Sequence, residues 1–179
     1  TMCHTFEEEF AEFVNADAAL AVNSCTAALE LALRLKDIGP EDEVITSTLT
    51  FTSTVNVIEH VGAKPVLVDV EPDTLNIDPE NILNAITSRT KAVIVVHFAG
   101  HPVDLGKIQA ICEQYDIELI EDAAHALPAR YRGNMIGSFN NLAAFSFYAT
   151  KNLSTGEGGM LTGSREMIEK ARSLSLHGL

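Results

Sequence analysis

Apolar, β-branched runs alternate with helical stretches along the first two thirds of this 179-residue chain, and this alternation constrains the fold more than any other feature. The pattern predicts strands over 19–22, 43–46, 65–70, 92–96 and 117–120. Between them it predicts helices over 27–35, 53–60 and 104–115, and one opening at Asp78-Pro79 with proline at its first position. The strands are apolar on both faces, as strands covered by helices on both sides must be. The expected fold is therefore α/β, a mostly parallel doubly wound sheet. After Asp122 the rhythm changes: short strands are expected over 142–147 and 159–161, with a helix over 165–174 capped by Ser164. At the other end, Thr5-Phe6-Glu7-Glu8 reads as a capping box ahead of the stripe Phe6, Phe10, Phe13 and Val14. No repeat or linker interrupts the chain, so residues 1–179 are expected to form one domain.

Composition removes several function classes. The net charge is −13, from 12 basic and 25 acidic residues, which argues against nucleic acid as a partner. A small anion is still allowed, because helix N-termini and backbone amides hold phosphate inside acidic proteins. No apolar run reaches the roughly 18 residues of a membrane span, and the start is not of the signal-peptide kind. Cys3, Cys25 and Cys112 form neither a disulfide framework nor a C-x-x-C zinc site. The expected location is the cytoplasm, a reducing compartment.

Ligands of open α/β sheets bind beyond the carboxyl ends of the strands, and three groups of polar residues fall at such ends. Ser24-Cys25-Thr26-Ala27 joins a strand to a helix and can cradle a phosphate; taken alone, an N-cap by Ser24 or Thr26 is the simpler reading. Asp122 follows a strand and can pair with a protonated ring nitrogen, or merely cap a turn, with His125 three residues on. Lys151 follows the apolar run Phe145-Ser146-Phe147 and precedes Gly156-Glu157-Gly158-Gly159. A lone lysine is usually solvated surface, but a partly buried one has a lowered pKa and becomes a nucleophile. The glycine-rich stretch is neither a Walker loop nor a dinucleotide fingerprint. No G-x-S-x-G elbow is present. Gly100 and Pro102 break the helix that a His97/His101 metal pair would need, so no metal site is expected.

Taken in order, eight stretches resemble the DegT/StrS-type sugar aminotransferases, enzymes of fold type I that use pyridoxal 5'-phosphate (PLP). They are Asn23-Ser24-Cys25-Thr26-Ala27-Ala28-Leu29, Asp42-Glu43-Val44-Ile45-Thr46, Thr50-Phe51-Thr52-Ser53-Thr54, Pro65-Val66-Leu67-Val68-Asp69-Val70, Val96-His97-Phe98-Ala99-Gly100, Glu121-Asp122-Ala123-Ala124-His125-Ala126, Phe145-Ser146-Phe147 with Lys151-Asn152, and Gly156-Glu157-Gly158-Gly159. The resemblance implies that Lys151 holds PLP covalently and then shuttles a proton. Asp122 would keep the ring nitrogen protonated, Phe51 would stack on the ring, and His125 would sit near the ring hydroxyl. Thr26, Ala27 and Ser146 match phosphate-binding positions. Lysine at 151 favours transamination over the dehydration carried out by relatives with histidine there. The implied substrates are an amino acid, glutamate by expectation, and a nucleotide-linked keto sugar. The implied assembly is a homodimer or larger. Relatives run well past Leu179 and usually begin well before Thr1, so the chain is expected to be the PLP-binding large domain without its C-terminal small domain and its extreme N-terminal segment. Two rivals stand beside this reading: another PLP enzyme of the same fold, such as a lyase or desulfurase, and a catalytically silent protein that keeps the fold.

Overall fold

The computed structural model describes residues 1–176. Along them run α1 (Met2–Val14), β1 (Ala18–Val22), α2 (Cys25–Leu35), β2 (Glu43–Ser47), α3 (Thr52–His60), β3 (Lys64–Val68), α4 (Pro79–Ala85), β4 (Thr90–Val96), α5 (Leu105–Tyr115), β5 (Glu118–Asp122), β6 (Arg130–Tyr131), β7 (Asn134–Met135), β8 (Leu142–Ser146), β9 (Gly159–Gly163) and α6 (Arg165–Ser175). Seven strands form one sheet in the order β1-β9-β8-β5-β4-β2-β3. Its pairs are parallel from β8 through β5, β4 and β2 to β3, and β9 runs antiparallel to both β8 and β1. The mostly parallel α/β sheet expected from the alternation is thus present. The reversed strand has a simple cause: β8 and β9 are joined by a loop without a helix, and a parallel neighbour needs a longer crossover.

Side chains of the central strands alternate between two cores. Ile45, Val93, Val95, Ala143 and Phe145 face a layer carrying Phe10 of α1, Ile82 of α4 and Leu105 and Ile108 of α5. Val44, Ala92, Ile94, Leu142 and Ala144 face Leu29 and Leu33 of α2, Val57 and Ile58 of α3 and Ile168 of α6. The period of two in a strand and the apolar stripe of each helix produce these layers directly. Phe10 packs edge-on against Phe145 and Phe147, with ring centroids 5.1 and 5.4 Å apart, which pins α1 beneath the end of β8. Glu7 ties the same helix to β1 and α6. Its carboxylate accepts the Ala21 N–H at 2.9 Å and both terminal nitrogens of Arg172 at 3.2 and 2.7 Å.

Three local expectations differ from the structure. Thr5 does not open α1: Thr1 is the N-cap, and Thr5 N–H already donates to the Thr1 carbonyl as part of the helix. The upstream residues Met2-Cys3-His4 carry the helix one turn further back than the capping motif suggested. β3 is not buried on both faces, because it is the edge of the sheet and Leu67 is 51% exposed. The β6–β7 hairpin was not expected, since its strands have two residues each and turn through Arg132-Gly133, both at positive φ. No helix among the described residues is long and apolar enough to cross a membrane.

Candidate active site

The chain passes from β2 outward to β3, then crosses back to β4 on the other side of β2 and continues to β5. A reversal of this kind leaves a crevice beyond the carboxyl ends of the strands. A cleft of about 630 Å³ lies there, and Thr26, Phe51, Asp122, His125, Ser146 and Lys151 all line it. Six residues singled out in the sequence are therefore brought together. Ala27, the seventh, is not in the lining. Its N–H donates to Ser24 Oγ at 3.1 Å, and it borders a separate groove of about 510 Å³.

The floor of the cleft begins at the start of α2. Ser24 is extended and caps the helix, so the turn Ser24-Cys25-Thr26 points the positive end of an eleven-residue helix at the cleft. Its position is set by Gly159 of β9. A Cβ there would lie 2.4 Å from the Ser24 carbonyl carbon and 2.6 Å from the Cys25 nitrogen. Only a residue without a side chain lets the two backbones meet.

Asp122 is the last residue of β5 and is 4% exposed. Its Oδ1 accepts the Ala124 N–H at 3.1 Å and faces Cys25 Sγ at 3.8 Å; its Oδ2 accepts the Thr54 hydroxyl at 2.8 Å. Burial pushes the Cys25 thiol well above its ordinary value, Asp122 adds to the rise, and the positive charge of Lys151 opposes it. Cys25 is therefore a thiol, not a reactive thiolate. His125, exposed at the cleft, is held below the ordinary imidazole value first by desolvation and then by Lys151, with Asp122 opposing. It is a neutral imidazole at pH 7.

Lys151 is half-buried in the loop that joins β8 to β9. That loop closes on itself: Phe147 N–H donates to Gly158, and Thr155 N–H donates back to Phe147, each at 2.9 Å. Lys151 N–H bonds the Tyr148 carbonyl at 2.9 Å, and the Asn152 amide reaches Leu127 at 2.6 Å, tying the lysine to the segment that follows Asp122. Phe51, the N-cap residue of α3, is 76% exposed and forms an aromatic wall. His97 does not join a metal site. It is buried, accepts the Val103 N–H at its Nδ1, and lies 3.0 Å from Glu121 through its Nε2. Among the described residues no group of three or more His, Cys, Asp or Glu side chains is arranged to hold a metal ion. The sequence pattern gave no sign of Thr54 as a partner of Asp122, because the two are 68 residues apart.

A buried carboxylate, an amine, a neutral imidazole and a helix N-terminus thus share one cleft, a set able to hold an anionic ligand with a cationic ring and a reactive carbonyl. The comparisons agree with this chemistry. The model of the DegT/DnrJ/EryC1/StrS aminotransferase family matches residues 2–179. The Bacillus subtilis spore coat polysaccharide biosynthesis protein SpsC is 58% identical over 175 residues, 97% of this chain and 45% of that protein. The solved structure of S. venezuelae DesV in complex with a ketimine intermediate is 41% identical with a TM-score of 0.97, covering 100% of this chain and 49% of that one. The PLP form of Streptococcus pneumoniae Spr1654 is 36% identical with a TM-score of 0.96, covering 99% and 51%. The chain spans about half the length of these relatives. With the family model matching all but the first residue, the chain belongs to the DegT/DnrJ/EryC1/StrS aminotransferase family.

Proposed function

We propose that the protein is a PLP-dependent aminotransferase that moves an amino group from an amino acid, glutamate in this reading, to a keto sugar linked to a nucleotide. The observation that carries the proposal is the meeting of Lys151 and the buried carboxylate of Asp122 in one cleft at the start of α2. The spore coat polysaccharide role of the B. subtilis relative and the PLP form of the S. pneumoniae structure support it.

The residues present fit PLP. The N-terminus of α2, with Thr26 and Ser146, would hold the phosphate, and Ala27 would keep that turn in shape through its bond to Ser24. Asp122 would face the ring nitrogen and hold a proton there, as an opposite charge in a buried site favours the cation beside it. Phe51 would cover one face of the ring. His125, neutral at pH 7, would meet the ring hydroxyl without adding charge. Lys151 would hold the cofactor by its Nζ and then carry a proton between the two carbons that exchange it. When bound, PLP supplies the electron sink that the substrate carbon needs on losing that proton.

This chain then corresponds to the PLP-binding large domain. In the longer relatives the remaining half would supply a small domain, and a second subunit would close the cleft over the exposed Phe51. Free Cys3, Cys25 and Cys112 suit a cytoplasmic enzyme. The purified protein should take up PLP, and borohydride reduction with peptide mapping should place the adduct on Lys151. Incubation with glutamate and a panel of keto-sugar nucleotides should then yield an amino sugar. An adduct on another lysine would sink the assignment, and a Lys151 adduct without amino transfer to any sugar would favour a silent or different PLP protein.

A further inference from the structure

Asp122 receives more than its place at a strand end requires. A carboxylate offers about four acceptor directions over its two oxygens. The Ala124 N–H occupies Oδ1, beside a Cys25 thiol at 3.8 Å whose nearer acceptor is the Ala144 carbonyl at 3.4 Å, and the Thr54 hydroxyl takes one direction of Oδ2 at 2.8 Å. One direction of Oδ2 remains, and Asp122 lines the cleft. Thr54 is fully buried in the first turn of α3, and its Oγ1 accepts in turn from Thr50 Oγ1 at 2.7 Å. A competing contact from the Thr50 hydroxyl to the Phe51 carbonyl is longer, at 3.4 Å.

A hydroxyl has one proton to give. With Thr54 donating to Asp122, Thr50 must donate to Thr54, so the chain Thr50→Thr54→Asp122 runs one way. That direction requires an Asp122 that accepts on Oδ2 and carries no proton there. Each bond in such a chain polarises the next. The chain also has a mechanical consequence. Phe51 stands between Thr50 and Thr54, and Thr54 N–H donates to the Phe51 carbonyl at 3.1 Å. The aromatic wall and the acid are therefore fixed to each other through one hydroxyl.

We infer that Thr54, backed by Thr50, is a positioning residue that holds Asp122 as a carboxylate aimed into the cleft and sets its distance from the Phe51 wall. The inference rests on the PLP reading, since the group that Asp122 faces is the ring nitrogen. Without the Thr54 hydroxyl, Oδ2 is left buried and short of a donor, and the carboxylate is free to turn.

The test is a PLP titration of the purified protein followed by absorbance, with the visible band of bound PLP then recorded against pH. Thr54→Val keeps the shape and removes the donor. It should bind PLP about tenfold more weakly, the scale of one hydrogen bond to a charged group. The pH midpoint of the band should move upward, because a ring nitrogen held less firmly as a cation withdraws less charge from the lysine-linked end. Thr54→Ser keeps the donor and loses a methyl group, and should return both readouts toward the parent values. A packing role predicts the reverse order, with valine milder than serine. If Thr54→Val does not fold, Thr50→Val, one bond further out, should shift both readouts the same way by less. Parent affinity and parent midpoint in a folded valine variant would overturn the inference while leaving the PLP reading intact. A parent protein that takes up no PLP in the same titration would overturn both.

Discussion

Gly159→Ala adds one methyl group where the structure has least room for it. The new Cβ would stand 2.4 Å from the Ser24 carbonyl carbon, 2.6 Å from the Cys25 nitrogen and 2.7 Å from the Ser24 oxygen. An ordinary contact begins near 3.4 Å, so the two backbones must part by about 1 Å. Neither is free to move. Gly159 is paired with Val22 of β1 on one side and Ser146 of β8 on the other, and Ser24 is the cap of α2. Overpacking of a tight site costs about 1–3 kcal/mol, and the obstruction here is backbone, which argues for the upper end. For a chain of this size each kcal/mol lowers the melting midpoint by about 2–4 °C, so a fall of about 6–12 °C is expected. Gly133→Ala is the control: unlike Gly159 it has a positive φ, at 89°, and nothing lies within 4 Å of its would-be Cβ. That variant should lose only the strain of the left-handed region, about 1–2 kcal/mol. Calorimetry measures the midpoints, and a PLP titration reports the turn that would carry the phosphate. Gly159→Ala should weaken PLP binding, and Gly133→Ala should leave it unchanged. A Gly159→Ala protein that melts with the parent and binds PLP like the parent would refute the claim that this contact sets the turn.

Two further outcomes follow from side chains away from the cleft. Glu43 is held down to about 2 by hydrogen bonds from Thr87, Arg89 and Lys64 against the cost of burial, so its folded value lies below the unfolded one near 4.3. Its contribution is present above the unfolded value and is lost as pH falls toward 2; urea unfolding at several pH values should show a smaller acid loss for Glu43→Gln than for the parent, and equal losses would count against the assignment. Phe10→Ala empties a site that is 3% exposed and packed on Phe145 and Phe147; it should cost about 3–5 kcal/mol by urea unfolding, and a loss under about 1 kcal/mol would mean that α1 is not pinned by this cluster.

The features legible in the sequence are local. Periodicity of two or near 3.6 marked the helices and most strands of the sheet, because side-chain burial follows those periods within a few residues. Ser164, Asp104 and Ser24 could be read as helix starts because a cap acts on amides two or three residues away. The Ser24-Cys25-Thr26 turn and Asp122 stood out as polar residues at strand ends and Lys151 as a lysine between an apolar run and a glycine-rich stretch, whereas Ser146 and the roles of all four came only with the family resemblance. The remaining features depend on partners distant along the chain. The reversed β9, the exposed edge at Leu67 and the extension of α1 back to Thr1 are of this kind or turn on fine balances at element ends. So are the partners of Asp122, since Cys25 and Thr54 stand 97 and 68 residues before it. No pattern within a window of residues specifies such a meeting, because it follows from the order in which strands pair, and that order is fixed by how the whole sheet buries its two faces.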